Sequence, residues 1–83
     1  MNLDIRIAAP GCRNCQELES RVIKALEELQ AEATVVKVTD FKDIAALGIF
    51  MTPGLIINGK AVLQGKLPSV GIVKELILEA MRS

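Results

Sequence analysis

The stretch Leu3-Asp4-Ile5-Arg6-Ile7-Ala8-Ala9-Pro10-Gly11-Cys12-Arg13-Asn14-Cys15-Gln16-Glu17-Leu18 decides the fold. Leu3, Ile5 and Ile7 alternate with Asp4 and Arg6, the period of a half-buried strand. Pro10 and Gly11 end that strand. From Arg13 or Asn14 the period changes. Cys15, Leu18, Val22, Leu26 and Leu29 share one helical face, and Glu17, Glu19, Lys24, Glu27 and Glu28 lie mostly on the other. A helix is predicted to about Gln30. The two cysteines thus fall where a strand turns into a helix.

Outward from that junction the chain stays regular. Ala33 to Val38 is β-branched and alternating, a second strand. Asp40 is suited to cap a short helix, with Asp43 favouring its N-terminal dipole. Phe41, Ile44, Ala45 and Leu47 are expected on its inner face, and Gly48 at its end. Thr52-Pro53-Gly54 breaks the chain before a third strand, Leu55 to Ile57. Asn58-Gly59 is a strong hairpin signal of the type I′ kind, so Ala61 to Leu63 is a fourth, antiparallel strand. Gly65 to Pro68 reads as a loop. Ser69 caps a last helix with Val73, Leu76, Ile77 and Ala80 buried. The order is β-α-β-α-β-β-α. Its first β-α-β unit is a parallel crossover and the hairpin makes the sheet mixed. Helices on both faces give a three-layer α/β/α domain with a four-stranded mixed sheet.

Composition narrows the function. The 83 residues suit one domain, spanning 1–83, and 51% are hydrophobic, which excludes the disordered class. Ten basic residues balance ten acidic ones, so no net field favours a polyanion. Phe41 and Phe50 are the sole aromatics, too few for stacking on single-stranded nucleic acid. No apolar run approaches the ~20 residues of a membrane span. Asp4 and Arg6 interrupt the N-terminal apolar stretch, unlike a secretory signal. The expectation is a cytoplasmic protein with no nucleic-acid or membrane partner. Histidine is absent, which removes Ser/His and Cys/His catalysis and imidazole metal ligation. Two cysteines cannot build a four-thiolate zinc site within one chain. No metal or other cofactor is expected.

Cys12 and Cys15 carry the chemistry. Residues three apart on a helix lie about 5–6 Å from one another, within disulfide reach. The first helical turn has unpaired N–H groups and a partial positive charge, which stabilises a thiolate. The thiolate is the nucleophile. Arg13 adds a cation and lowers the pKa further. Cys12 is therefore expected to be the more exposed, attacking thiol. Cys15, one turn in on the apolar face, is expected to be buried, higher in pKa and the resolving thiol. Two unreactive core cysteines are the plainer alternative. A Cys-x-x-Cys near a β-α-β pattern favours the redox reading.

Thr52-Pro53 is the second candidate spot. Pro53 precedes a strand expected beside the first, which brings it near the cysteine loop. A cis bond there turns the backbone of Thr52 outward, where its N–H and C=O can pair with an extended substrate segment. Phe50 and Met51 just before it fill core space or line an apolar rim, and core filling is the preferred reading. Lys60, Lys66 and Arg82 read as surface charges. For Gly65 and Ser69 ordinary capping is preferred over anion binding.

Gly11-Cys12-Arg13-Asn14-Cys15 with its amphipathic helix, then Thr52-Pro53, the Asn58-Gly59 hairpin and a C-terminal helix, resembles the thioredoxin/glutaredoxin superfamily. It is most similar to the small thioredoxin-like redox-active disulfide proteins of archaea and bacteria. The resemblance spans nearly the whole chain. It implies a thioredoxin-like fold, a cis Pro53 and thiol–disulfide exchange through Cys12 and Cys15. It also implies protein disulfide substrates, a monomer, and an electron donor such as a flavoprotein reductase or a small thiol. Gly11 stands where thioredoxins have Trp, so Gly11 joins Thr52 and Pro53 as a substrate-facing candidate. No acid matches the buried Asp that assists proton transfer in thioredoxins. Arg13-Asn14 and a lone Gly65 depart from glutaredoxin patterns. Two alternatives stay open: a soft-metal module of the Cu(I) type, and a redox-sensing adaptor without turnover. The first belongs to domains of β-α-β-β-α-β order, which this chain does not share.

Overall fold

The computed structural model describes residues 3–10 and 12–82, and of residues 12–14 the backbone alone. Its elements are β1 (Leu3–Ala8), α1 (Cys12–Leu29), β2 (Ala33–Val38), α2 (Phe41–Ala46), β3 (Gly54–Ile57), β4 (Lys60–Gln64) and α3 (Val70–Arg82). This is the order expected from periodicity. The boundaries move by a residue or two, and α1 begins at Cys12 rather than at Arg13 or Asn14. The four strands form one sheet in the order β2-β1-β3-β4. β1 runs parallel to β2 and antiparallel to β3, and β3 is antiparallel to β4.

Alternation along β1 sorts the layers. Leu3, Ile5 and Ile7 point to one face, where they meet Leu18, Val22, Ala25 and Leu26 of α1 and Val73 and Ile77 of α3. Leu55 and Ile57 of β3 join them. Ala8 and Ile56 point to the other face and pack with Ile44 of α2 and Ile49. The sheet is therefore sandwiched between α1 with α3 and the shorter α2. This is the three-layer architecture of the thioredoxin-like class.

The short helix differs from expectation in what it buries. Ile44 is buried and Leu47 is half-buried, but Ala45 is exposed and Phe41 is 73% exposed. A six-residue helix makes under two turns, and one such stripe offers little more than one side chain to the sheet. Ile49, just beyond it, supplies the rest of that small core. Phe50 and Met51 also differ. They are 83% and 62% exposed, so the core-filling reading of these two residues is corrected to a surface one.

Local turn chemistry sets the element ends. Asp40 accepts from the Lys42 N–H at 2.8 Å, and Ser69 Oγ accepts from the Ile72 N–H at 3.3 Å. Gly48 has φ +84°, with its N–H donating to Ala45 C=O and the Ile49 N–H to Ile44 C=O. That is a Schellman ending. α1 ends in the same way, but with Gln30 at φ +53° in the left-handed position. Asn58 and Gly59 both have positive φ, as a type I′ turn requires. β3 and β4 contain one irregularity. Leu55 opposes Leu63 and Ile56 opposes Ala61, leaving Val62 as an extra residue. The bulge lets Val62 and Leu63, adjacent in sequence, both pack against the α1/α3 core.

Candidate functional site

The site is assembled at the end of the sheet where β1 finishes. Ala8 pairs with Gly54 in the β1–β3 ladder. One residue further in that register, Pro53 comes level with Ala9. Cys12 follows Ala9 by three residues, so its Cα is within about 11 Å of the Ala9 Cα. The start of α1 and the Thr52-Pro53 segment are thus brought to one end of the molecule by strand pairing alone.

Cys15 lies in the first turn of α1 and is 3% exposed, packed in the core that contains Ala9 and Leu18. Its place on the apolar face follows from the 3.6-residue period that also buries Leu18 and Val22. The backbone of Cys12 opens the helix. Gly11 and the side chains of Cys12 and Arg13 lie outside the described residues. No charged or polar side chain is buried among the described residues. A buried carboxylate to take a proton from Cys15 is therefore not found among them.

The Thr52–Pro53 peptide bond is cis. Pro53 is buried and Thr52 is exposed. The hydrogen bonds around them are informative. Gln64 Oε1 accepts from the Phe50 N–H at 2.8 Å and from the Met51 N–H at 3.2 Å. The Gly65 N–H donates to Met51 C=O at 3.0 Å and to Pro53 C=O at 2.9 Å. Among the described residues the N–H and C=O of Thr52 have no such partner. Gly65 has φ +80°, and a Cβ on it would stand 3.0 Å from Met51 Cε. The Gly65 N–H is thus already engaged, and Ser69 serves as a helix cap. Sequence reasoning did not find Gln64. Its partners are 13 and 14 residues away, and a glutamine at the end of a strand carries no local signal of such a bridge.

A β-α-β-α-β-β-α domain with one four-stranded mixed sheet, a cysteine in the first turn of α1 and the Thr52-Pro53 loop at the same end of the sheet defines the thioredoxin-fold class. The comparisons agree. A family model described as Thioredoxin domain matches residues 3–78, and the chain belongs to that family. A protein of Methanocaldococcus jannaschii named Thioredoxin is 45% identical over 71 residues, covering 86% of this chain and 81% of the relative. A second Thioredoxin, from Methanothermobacter thermautotrophicus, is 31% identical over 75 residues, covering 90% and 97%. The family gives the chain a thiol–disulfide oxidoreductase kind of activity. Among the described residues no helix is long and apolar enough to cross a membrane.

Proposed function

We propose that this chain reduces protein disulfides through Cys12 and Cys15, acting as a single domain over residues 1–83. Cys12 is the nucleophile, and the helix start together with Arg13 favours its thiolate. It attacks one sulfur of a substrate disulfide. A mixed disulfide forms and the other substrate sulfur leaves as a thiolate. Cys15 then attacks the Cys12 sulfur, closing the Cys12–Cys15 disulfide and releasing the second substrate sulfur. Two electrons pass to the substrate, and the two thiol protons of the reduced pair end on the two substrate sulfurs. A dithiol on a flavoprotein reductase, or a small thiol, restores the pair. Thr52, Pro53 and Gly11 frame the substrate, with the Thr52 backbone pairing to an extended segment. The protein works as a monomer in the cytoplasm and needs no metal or other cofactor.

The observation that carries this reading is the buried Cys15 in the first turn of α1, in a chain of the thioredoxin domain family. Trapping tests it. Cys15→Ala should accumulate a mixed disulfide between Cys12 and a protein disulfide substrate, stable until thiol is added. Cys12→Ala should accumulate none. Equal trapping by both variants, or trapping by neither, rules the assigned roles out. The reduction potential adds the direction: a value near about −270 mV marks a reductant, and one near about −120 mV an oxidant.

A further inference from the structure

The segment from Phe50 to Pro53 has an unusual distribution of used and unused backbone groups. Phe50 and Met51 give their N–H groups to Gln64 Oε1. Both partners are donors, so the accepting atom of the amide is its oxygen. Met51 and Pro53 give their C=O groups to the Gly65 N–H. Proline has no N–H. What the segment leaves for an incoming strand is centred on Thr52. Gln64 itself is fixed at the end of β4, where its backbone pairs with Gly54. Its side chain therefore reaches from a rigid strand to a loop that no ladder supports.

We infer that Gln64 is a positioning residue for substrate docking: by binding the N–H groups of Phe50 and Met51, it holds the loop so that the Thr52 backbone meets an extended peptide carrying the disulfide. The inference rests on the oxidoreductase reading above and adds to it a residue that touches neither thiol. Gln64 is exposed and its loss leaves no buried unsatisfied group, so a role in docking is separable from one in folding. A small disulfide does not pair with a backbone edge and does not need the loop held. A protein disulfide does.

Two variants of the full chain test this, Gln64→Leu and Gln64→Glu. Leucine keeps the size and removes the acceptor. Glutamate keeps an acceptor oxygen at the same place. Each is assayed with insulin as the protein disulfide, using dithiothreitol as donor, and with 5,5′-dithiobis(2-nitrobenzoate) as the small one, mixed with pre-reduced protein freed of dithiothreitol so that the protein's own thiols are the reductant. Losing the two bonds should raise the KM for insulin roughly five- to tenfold in Gln64→Leu, with kcat within about twofold. The rate with the small disulfide should stay within about twofold of wild type, and Gln64→Glu should restore the insulin KM. An unchanged insulin KM in Gln64→Leu overturns the inference. So does a parallel loss with both disulfides, or a Gln64→Glu variant no better than Gln64→Leu. A wild-type chain inert toward both disulfides overturns the oxidoreductase reading and this one with it, whereas an active wild type indifferent to Gln64 overturns this one alone.

Discussion

Asp4 and Asn58 exchange two hydrogen bonds across the sheet: the Asp4 N–H donates to Asn58 Oδ1 at 2.9 Å, and the Asn58 N–H donates to Asp4 C=O at 2.7 Å. Asn58 is also the first residue of the β3–β4 turn, at φ +53°. One residue therefore makes the hairpin and ties it to the first strand.

This gives a graded prediction. Asn58→Gly keeps the left-handed backbone and loses the side-chain bond, and should cost about 1 kcal/mol. Asn58→Ala loses the bond and adds the steric cost of a Cβ at positive φ, for a total of about 2–3 kcal/mol. Urea unfolding of both variants checks the order. An alanine variant as stable as the glycine one shows that the turn conformation contributes nothing.

At the end of α1 the usual cost of glycine should reverse. Gln30 occupies the left-handed position after the helix, with its N–H on Glu27 C=O and the Ala31 N–H on Leu26 C=O. Glycine adopts that backbone without a Cβ penalty. Gln30→Gly should stabilise the protein by about 0.5–1 kcal/mol, seen as a rise in Tm of several degrees. A drop in Tm contradicts this account of the helix end.

Gly54 and Ile49 form a tight pair. A Cβ on Gly54 would stand 2.8 Å from both Cδ1 and Cγ2 of Ile49, which is itself buried. Gly54→Ala should cost about 1–3 kcal/mol through overpacking. The cost should shrink in an Ile49→Ala background, because the clashing atoms are gone. A double-mutant cycle by denaturant unfolding measures the coupling, and simple additivity is the outcome that disproves the contact.

The two phenylalanines should be dispensable to stability. Phe41 and Phe50 are 73% and 83% exposed, while Ile44, on the same helix as Phe41, and Ile56 of β3 are buried. Phe41→Ser and Phe50→Ser should each change stability by less than about 0.5 kcal/mol. Ile44→Ala and Ile56→Ala should cost about 2–5 kcal/mol. A large loss from either serine variant shows that the ring is packed after all.

Much of the architecture is legible in the sequence alone. Leu3 to Ile7 alternate, Cys15 to Leu29 repeat with the helical period, and Asn58-Gly59 carries the geometry of its own turn. These signals are local, because each depends on residues a few positions apart. The same is true of the Asp40 and Ser69 caps and the Gly48 ending. The placement of Cys15 inside the core also followed from period alone, since the face that holds Leu18 and Val22 must hold Cys15.

Other features depend on residues far apart in the chain, and only the tertiary structure decided them. Phe41 lies outside because α2 is too short to turn two stripes inward. Phe50 and Met51 are exposed because Ile49 has already filled the space over Gly54. The bulge at Val62 answers the shape of the core rather than any pattern within β4. Gln64 reaches Phe50 and Met51 because strand pairing brings the end of β4 beside that loop. The sequence determined the elements and the burial of Cys15 in the first turn of α1, since period, caps and turns act over a few residues. Pairing between distant strands decided what surrounds Thr52 and Pro53, because a hydrogen bond across 13 residues leaves no periodic mark in the chain.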